Sequence, residues 1–105
     1  MQLRDIAHCR SGDKGTTANL SVIVYDHKHY PLLVEQLTVE RVSKVFAGIV
    51  RGEVVRYELP DLGALNFVMQ GALAGGVTRS LAMDAHGKSL SSALLDLKIT
   101  PAMGR

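Results

Sequence analysis

The chain has 105 residues, of which 47% are hydrophobic and 21% charged, with a formal net charge of +2 at pH 7. This length suits one domain with its own core, because independent domains usually run to roughly 100–150 residues. The composition excludes a disordered tail and a disulfide scaffold. The basic residues are dispersed and aromatic residues are few, which argues against a nucleic-acid binder. We therefore predict a single domain over residues 1–105.

No apolar run approaches the roughly 18 residues that a membrane span needs, so no membrane partner is predicted. The N-terminal segment meets an acidic residue at Asp5 and lacks the long apolar stretch of a signal peptide. A single cysteine, Cys9, cannot form an internal disulfide. These features together predict a cytoplasmic protein.

Hydrophobic periodicity predicts strands alternating with helices. The helix over Tyr30–Phe46 is expected in one or two pieces, with Thr38 as a cap for the second. In chain order the predicted elements are strand Leu3–Cys9, strand Leu20–Tyr25, helix Tyr30–Phe46, strand Gly52–Pro60, helix Leu62–Leu73, strand Thr78–Asp84 and helix Leu90–Ile99. This order predicts an α/β chain forming an α+β sandwich, with one four-stranded sheet and helices on one face. A ferredoxin-like sheet is the commonest such arrangement.

A glycine-rich segment, Ser11–Asn19, separates the first two predicted strands and is too long for a tight hairpin. Its glycines free backbone N–H groups to point at one anion, and its side chains are suitable donors. The candidate ligand-binding residues are Arg10, Ser11, Gly12, Asp13, Lys14, Gly15, Thr16, Thr17 and Asn19. The alternative is a polar loop whose side chains bond their own backbone. Because Lys14 precedes the second glycine, the segment is not a P-loop.

A second glycine-rich stretch, Gly71–Ser80, offers Gly75 and Gly76 for close approach to a ligand and Arg79 for a carboxylate or phosphate. The alternative is a helix stop followed by a turn. Asn66 lies among apolar residues, where it either faces a ligand or pins a neighbouring loop.

The sequence offers no nucleophile with a base and an orienting group, so it supports no named reaction. His8 and Cys9 are adjacent and would point to opposite faces of a strand. His27 and His29 have no further ligand cluster in sequence, so neither a metal nor a cofactor is predicted. We expect Cys9 to be an inert buried thiol and the histidine pair to be dispensable.

Three motifs resemble the small domain found with the acyclic terpene utilisation protein AtuA. Asp5–Asn19 resembles its opening, D-I-A-x-x-R-S-G-D-K-G-x-x-x-N. The segments Arg56–Pro60, Leu62–Phe67 and Gly75–Ser80 are similar to its second half, and Asp84, Gly87 and Lys88 followed by the Leu94-Leu95 helix complete the match. The resemblance implies the AtuA-like ferredoxin fold. It also favours the binding interpretation of the Arg10–Asn19 segment and, with it, of Asn66, Gly75, Gly76 and Arg79.

The resemblance implies a setting in branched acyl-CoA or acyclic terpenoid catabolism, and leaves open whether the chain is an enzyme. One hypothesis is an accessory domain that pairs with a larger AtuA-type chain or with itself. The other is a small enzyme or ligand-binding subunit for a CoA thioester or organic acid.

In the second predicted strand, Leu20, Val22 and Val24 share one face, while Ser21, Ile23 and Tyr25 share the other. Since both faces carry apolar residues, we predict a homo-oligomer.

Overall fold

Four antiparallel strands form the centre of the fold. The computed structural model describes residues 1–14, 17–46, 52–70 and 89–100. The strands lie side by side in the order β1-β2-β4-β3, so β1 and β3 are the edges of the described sheet. Their bounds are Ala7–Lys14 for β1, Thr17–Val24 for β2, Val54–Leu59 for β3 and Ala64–Gln70 for β4.

The two central strands determine which face of the sheet is buried. Every second side chain of β2 is buried, from Ala18 to Val24. In the register of β2 against β4, Leu20 lies opposite Phe67 and Val22 opposite Leu65. All four of these side chains are fully buried. One face of the sheet is therefore continuous with the core, because side chains alternate between the two faces of a strand.

Helices pack on that core face. Helix α1 spans Tyr30–Gln36 with Pro31 in its first turn, where a missing N–H costs nothing. Helix α2 spans Val39–Val45 and begins at Thr38, whose hydroxyl accepts a hydrogen bond from the backbone N–H of Arg41 at 3.2 Å. Helix α3 spans Ser89–Leu95. The helices contribute Leu32, Leu33, Val42 and Leu94 to the core.

Short 3-10 turns complete the connections at Leu3–Asp5, His27–His29 and Pro60–Leu62. The last of these leads into β4 through Gly63, whose φ of 63° lies in the left-handed region that favours glycine. A Cβ at this position would lie 2.9 Å from Cγ2 of Val24. Both the backbone angle and the space therefore require glycine here.

The prediction of an α+β fold with a four-stranded sheet and helices on one face is confirmed, and it is consistent with a ferredoxin-like fold. The strand Gly52–Pro60 is confirmed as β3, and the helix Tyr30–Phe46 is confirmed in two pieces with Thr38 capping the second. The final helix is confirmed as well, although it ends at Leu95 rather than Ile99.

Three predictions of local structure are wrong. Within the helix predicted over Leu62–Leu73, Ala64–Gln70 forms strand β4, where Leu65, Phe67 and Met69 alternate on the buried face. Leu3–Asp5 forms a 3-10 turn rather than the start of a strand. The prediction of a loop over Ser11–Asn19 is wrong, because β1 continues to Lys14 and β2 begins at Thr17. The two strands are paired in register up to these residues. The predicted strand Thr78–Asp84 lies outside the described residues.

Candidate functional site

The face of the sheet opposite the core, here called the open face, carries no described helix. Its side chains alternate with the core-facing residues of each strand, and one of them, that of Ala64, is itself buried. By register it consists, among the described side chains, of His8, Arg10 and Gly12 of β1, Thr17, Asn19, Ser21 and Ile23 of β2, Val55, Tyr57 and Leu59 of β3, and Ala64, Asn66, Val68 and Gln70 of β4. The open face therefore brings together side chains from all four strands.

A row of four polar side chains, the polar row, crosses the middle of the open face. In register, Arg10 of β1 lies opposite Ser21 of β2, Ser21 opposite Asn66 of β4, and Asn66 opposite Tyr57 of β3. Directly opposed side chains in a sheet have Cβ atoms roughly 4.5–5.5 Å apart, so each can reach its neighbour. The polar row therefore forms one continuous strip of donors and acceptors.

One hydrogen bond holds the middle of the polar row. Nδ2 of Asn66 donates to the hydroxyl oxygen of Ser21 at 2.8 Å. This bond uses the amide nitrogen of Asn66 and an acceptor position of Ser21. It leaves the carbonyl oxygen of Asn66 and the hydroxyl proton of Ser21 outside this bond, available for an incoming group.

The rows on either side of the polar row are more apolar. On one side, His8, Ile23, Ala64 and Leu59 lie in register, and the ring of His8 stacks on Tyr25 with centroids 5.3 Å apart. On the other side, Gly12, Asn19, Val68 and Val55 lie in register. A cross-strand contact closes the far end, where Oγ1 of Thr17 lies 3.2 Å from Oε1 of Gln70.

The electrostatics of the open face are one-sided. Its described strand residues include the Arg10 guanidinium but no carboxylate. Glu58 alternates to the other face, where Oε2 accepts a hydrogen bond from Nη2 of Arg56 at 2.8 Å. Within the described part of the chain, Arg10 is exposed and takes part in no ion pair. The face therefore suits an aromatic, neutral polar or anionic partner better than a cationic one.

Five of the predicted ligand-binding residues share this face: Arg10, Gly12, Thr17, Asn19 and Asn66. Ser11 alternates to the opposite side of β1, in register with Leu20. Asp13 and Lys14 belong to β1, opposite Ala18 and Thr17. The remaining predicted residues, Gly15, Thr16, Gly75, Gly76 and Arg79, lie outside the described residues. Convergence of the two glycine-rich segments stays a prediction.

Two members of the polar row were missed as candidates from the sequence, Ser21 and Tyr57. Strand alternation was the signal for Ser21, because it shares a face with Ile23 and Tyr25. For Tyr57 the signal required the pairing of β3 with β4, which local sequence does not give.

The thiol of Cys9 and the guanidinium of Arg56 make contacts that stabilise the fold and do not belong to the open face. Cys9 packs against the core, and burial raises the pKa of its thiol to about 12, so the thiol stays protonated near neutral pH. Arg56 donates from Nη1 to the carbonyl oxygens of Val34 and Leu37, at 2.9 and 3.0 Å, and so ties β3 to the end of α1. Across the described ranges, no three His, Cys, Asp or Glu side chains are grouped so as to hold a metal ion.

None of the described helices is long and apolar enough to cross a bilayer. No curated protein and no solved structure matches the chain. The model of the AtuA ferredoxin-like domain matches residues 1–100, nearly the whole chain. The described residues of the Asp5–Asn19 motif lie mostly on β1 and β2, and those of the Arg56–Pro60 and Leu62–Phe67 motifs lie mostly on β3 and β4. The chain therefore belongs to the AtuA ferredoxin-like domain family.

Proposed function

We propose that this chain is an accessory domain of AtuA-type proteins that acts by association rather than by chemistry. The polar row supports a non-catalytic role. Ser21 is engaged by Asn66, and no described histidine or carboxylate is hydrogen-bonded to its hydroxyl. A nucleophile needs such a base within hydrogen-bond reach. The partly buried, protonated thiol of Cys9 is equally unsuited to attack.

The observation that carries this proposal is the composition of the open face. A solvated antiparallel sheet face normally alternates cleanly, with polar side chains outward. Here Ile23, Val55 and Val68 point outward and are only half-buried, while Tyr57 and Leu59 are 52% and 38% exposed. Apolar groups on both inner strands, β2 and β4, and on the edge strand β3 indicate a surface that is covered in the working protein.

A second copy of this chain is the occupant we propose for the open face. Four strands about 4.8 Å apart, with about seven residues rising 3.3 Å each, outline a face of roughly 450 Å² in projection. Side-chain relief makes its accessible area larger than this projection. The result is of the order of the ~800 Å² that a standard interface buries on each partner. Stacking two such faces gives a four-layer α–β–β–α dimer.

The metabolic setting is part of the same proposal. The family ties the chain to AtuA-type proteins, and the resemblance of its motifs points to branched acyl-CoA or acyclic terpenoid catabolism. A larger AtuA-type chain is then the partner that the assembled domain would serve. Co-purification with that protein from the native cell tests this part of the proposal.

Sedimentation velocity on the purified chain tests the association directly. We expect a species of twice 11.3 kDa at micromolar concentration. Val68→Lys places a charge in the centre of the open face and should yield a monomer with a thermal unfolding profile still cooperative. Ala93→Lys, the same new charge on the exposed surface of α3, is the matched control and should remain a dimer. A wild-type monomer, with no companion chain present, would overturn the proposal.

A second candidate function rests on a different observation, the absence of strand-borne carboxylates beside Arg10, Thr17, Asn19 and Asn66 on the described open face. Such a surface favours an anionic ligand, either a CoA thioester or an organic acid, held by the Arg10–Asn19 segment. Titration calorimetry with coenzyme A and with acetyl-CoA tests it. Arg10→Ala and Lys14→Ala should each weaken binding about tenfold, since a charge-assisted hydrogen bond is worth roughly 1.5–3 kcal/mol. The absence of heat for both compounds would reject this candidate.

A further inference from the structure

We propose that the two copies pack with β1 of one over β3 of the other, so that Arg10 meets the ring of Tyr57 of the second copy. This inference rests on the proposed self-association and specifies its symmetry and its contacts. The juxtaposition that carries it is the order of side chains along the polar row, Arg10, Ser21, Asn66 and Tyr57.

A two-fold interface is isologous, so if residue i of one copy meets residue j of the other, then j also meets i. A two-fold axis parallel to the strands, midway between two stacked sheets, exchanges β1 with β3 and β2 with β4. The polar row is then laid over its own reverse. Arg10 falls over Tyr57 of the second copy, and Ser21 falls over Asn66 of the second copy.

Both pairs are chemically complementary. A guanidinium over a tyrosine ring is a cation–π contact, and arginine stacks on aromatic faces more readily than lysine does. Arg10 and Tyr57 are both exposed in the single chain and both lie on edge strands, so the contact would form at the rim of the interface.

In the middle of the row, the internal bond from Asn66 to Ser21 leaves two groups to pair across the interface. The hydroxyl of Ser21 can donate to the carbonyl oxygen of Asn66 of the second copy, and the reverse bond forms by symmetry. An interface buries polar groups at little cost only when they find partners, and this register provides them.

The flanking rows fit the same symmetry. The axis places Val55 over Gly12 of the second copy, and Ile23 over Ala64, whose side chain is already buried in the single chain. Val55 thus meets an exposed residue with no side chain, which leaves room for the two faces to interdigitate, while His8 falls over Leu59 and Asn19 over Val68 of the second copy. In the described strands, these pairings follow from the register alone.

The alternative two-fold axis, perpendicular to the strands, lays β1 on β1. It brings the two Arg10 guanidinium groups toward each other, with His8 of each copy nearby and no carboxylate among the described strand residues of the open face. Like charges at short range disfavour this arrangement. The charge on the open face therefore favours the arrangement in which β1 lies over β3 of the second copy.

Cross-linking distinguishes the two symmetries. In a Cys9→Ser background, Arg10→Cys and Tyr57→Cys chains are mixed above the dissociation constant and treated with a short bis-maleimide, because stacked sheets lie ~10 Å apart and a direct disulfide would not reach. We expect cross-linked dimers from the mixture and few from either variant alone. Cross-links from Arg10→Cys alone would show β1 on β1 and overturn this inference while leaving self-association intact.

A second measurement avoids dependence on cysteine chemistry. Arg10→Ala and Tyr57→Ala should each weaken the dimer roughly three- to tenfold, and the double variant should be no weaker than the worse single variant. Tyr57→Phe retains the ring and should stay within about twofold of wild type. Arg4→Ala, an exposed arginine outside the four strands, is the control and should change nothing. Additive losses in the double variant would reject the contact, and a wild-type monomer would reject both the contact and the self-association.

Discussion

The two faces of one sheet differ sharply in chemistry although the same strands supply both. On the core face, Leu20, Val22, Leu65 and Phe67 are fully excluded from solvent and meet the helices. On the open face, the polar row lies between rows that mix apolar and polar side chains. The core face stabilises the single chain by burial, whereas the open face retains apolar area that folding of the chain leaves partly exposed.

This difference shows how one short chain separates folding from association. The central strands β2 and β4 commit one side entirely to the core, which is sufficient to fix the register because a slip of one residue would expose it. Their other sides are then free to vary. The open face can carry polar groups such as Asn66 and Ser21 because they bond each other, at 2.8 Å, rather than lying unpaired.

The largest effect should come from the core face. Phe67→Ala should lower the free energy of unfolding by roughly 3–5 kcal/mol, because it leaves a cavity at a fully buried site. Its neighbour Val68 lies on the open face, and Val68→Ala should cost less than about 1 kcal/mol. Urea denaturation at a fixed protein concentration measures both, with Val22→Ala as the same chemical change on the core face. Equal losses for Val22→Ala and Val68→Ala would erase the distinction between the faces.

A second test concerns the turn that keeps the faces in register. Gly63→Ala should cost about 1–2 kcal/mol from its left-handed φ alone, and more because the new Cβ would approach Val24 at 2.9 Å. Gly12→Ala is the matched control on the open face, since its Cβ would meet the Asn19 side chain at an ordinary 3.7 Å. Thermal unfolding should show a loss for the first variant only. A comparable loss for Gly12→Ala would show that the open face is as tightly constrained as the turn.

A third test compares two arginines on opposite faces. Arg56→Ala should lower the free energy of unfolding by roughly 1–3 kcal/mol, because the carbonyl oxygens of Val34 and Leu37 lose their donor. Arg10→Ala on the open face should change the stability of the monomeric Val68→Lys chain by no more than about 0.5 kcal/mol. Chemical denaturation of both variants in that background gives the comparison. A larger loss for Arg10→Ala would place Arg10 in the fold rather than in association.

The smallest effect should be a pH dependence arising from the core face. The pKa of Cys9 is about 12 in the folded chain and near 9 in the unfolded chain. The unfolded state therefore loses its proton first, and the stabilising contribution is complete below about pH 9 and is lost as pH rises toward 12. Cys9→Ala lacks this loss, so the stability advantage of wild type should shrink between pH 7 and pH 10. A constant difference over that range would contradict the buried environment of the thiol.

Sequence patterns predicted the fold class but assigned one of its two central strands wrongly. In β4, one face carries the apolar residues Ala64 and Val68, and the other carries Leu65, Phe67 and Met69. A central strand with apolar groups on both sides lacks clean alternation, and Leu62, Leu65, Val68 and Met69 also satisfy helical spacing. Pairing with β2 and β3 decides between a strand and a helix for this segment, and the local sequence does not encode that pairing.

The candidate site was predicted in part for a related reason. The segment from Ser11 to Asn19 is polar and glycine-containing, which is typical of loops, yet β1 and β2 extend through most of it. An edge strand tolerates polar residues where it extends beyond the core, so polarity alone does not end it. The sequence thus offers Arg10, Asn19 and Asn66 as candidates and, by strand alternation, could have offered Ser21, whereas Tyr57 joins the polar row only through the register of β3 with β4.

The pairing of the chain's outermost described segments has an architectural consequence. Ile99 donates its backbone N–H to the carbonyl oxygen of Met1 at 2.8 Å, Leu3 donates to Leu97 at 2.8 Å, and Gln2 bridges to Lys98 between them. Both segments thus enter and leave the domain at one point. We therefore expect the domain to tolerate insertion into a surface loop of a host protein, because residues 1–3 and 97–99 stay paired at one place on its surface.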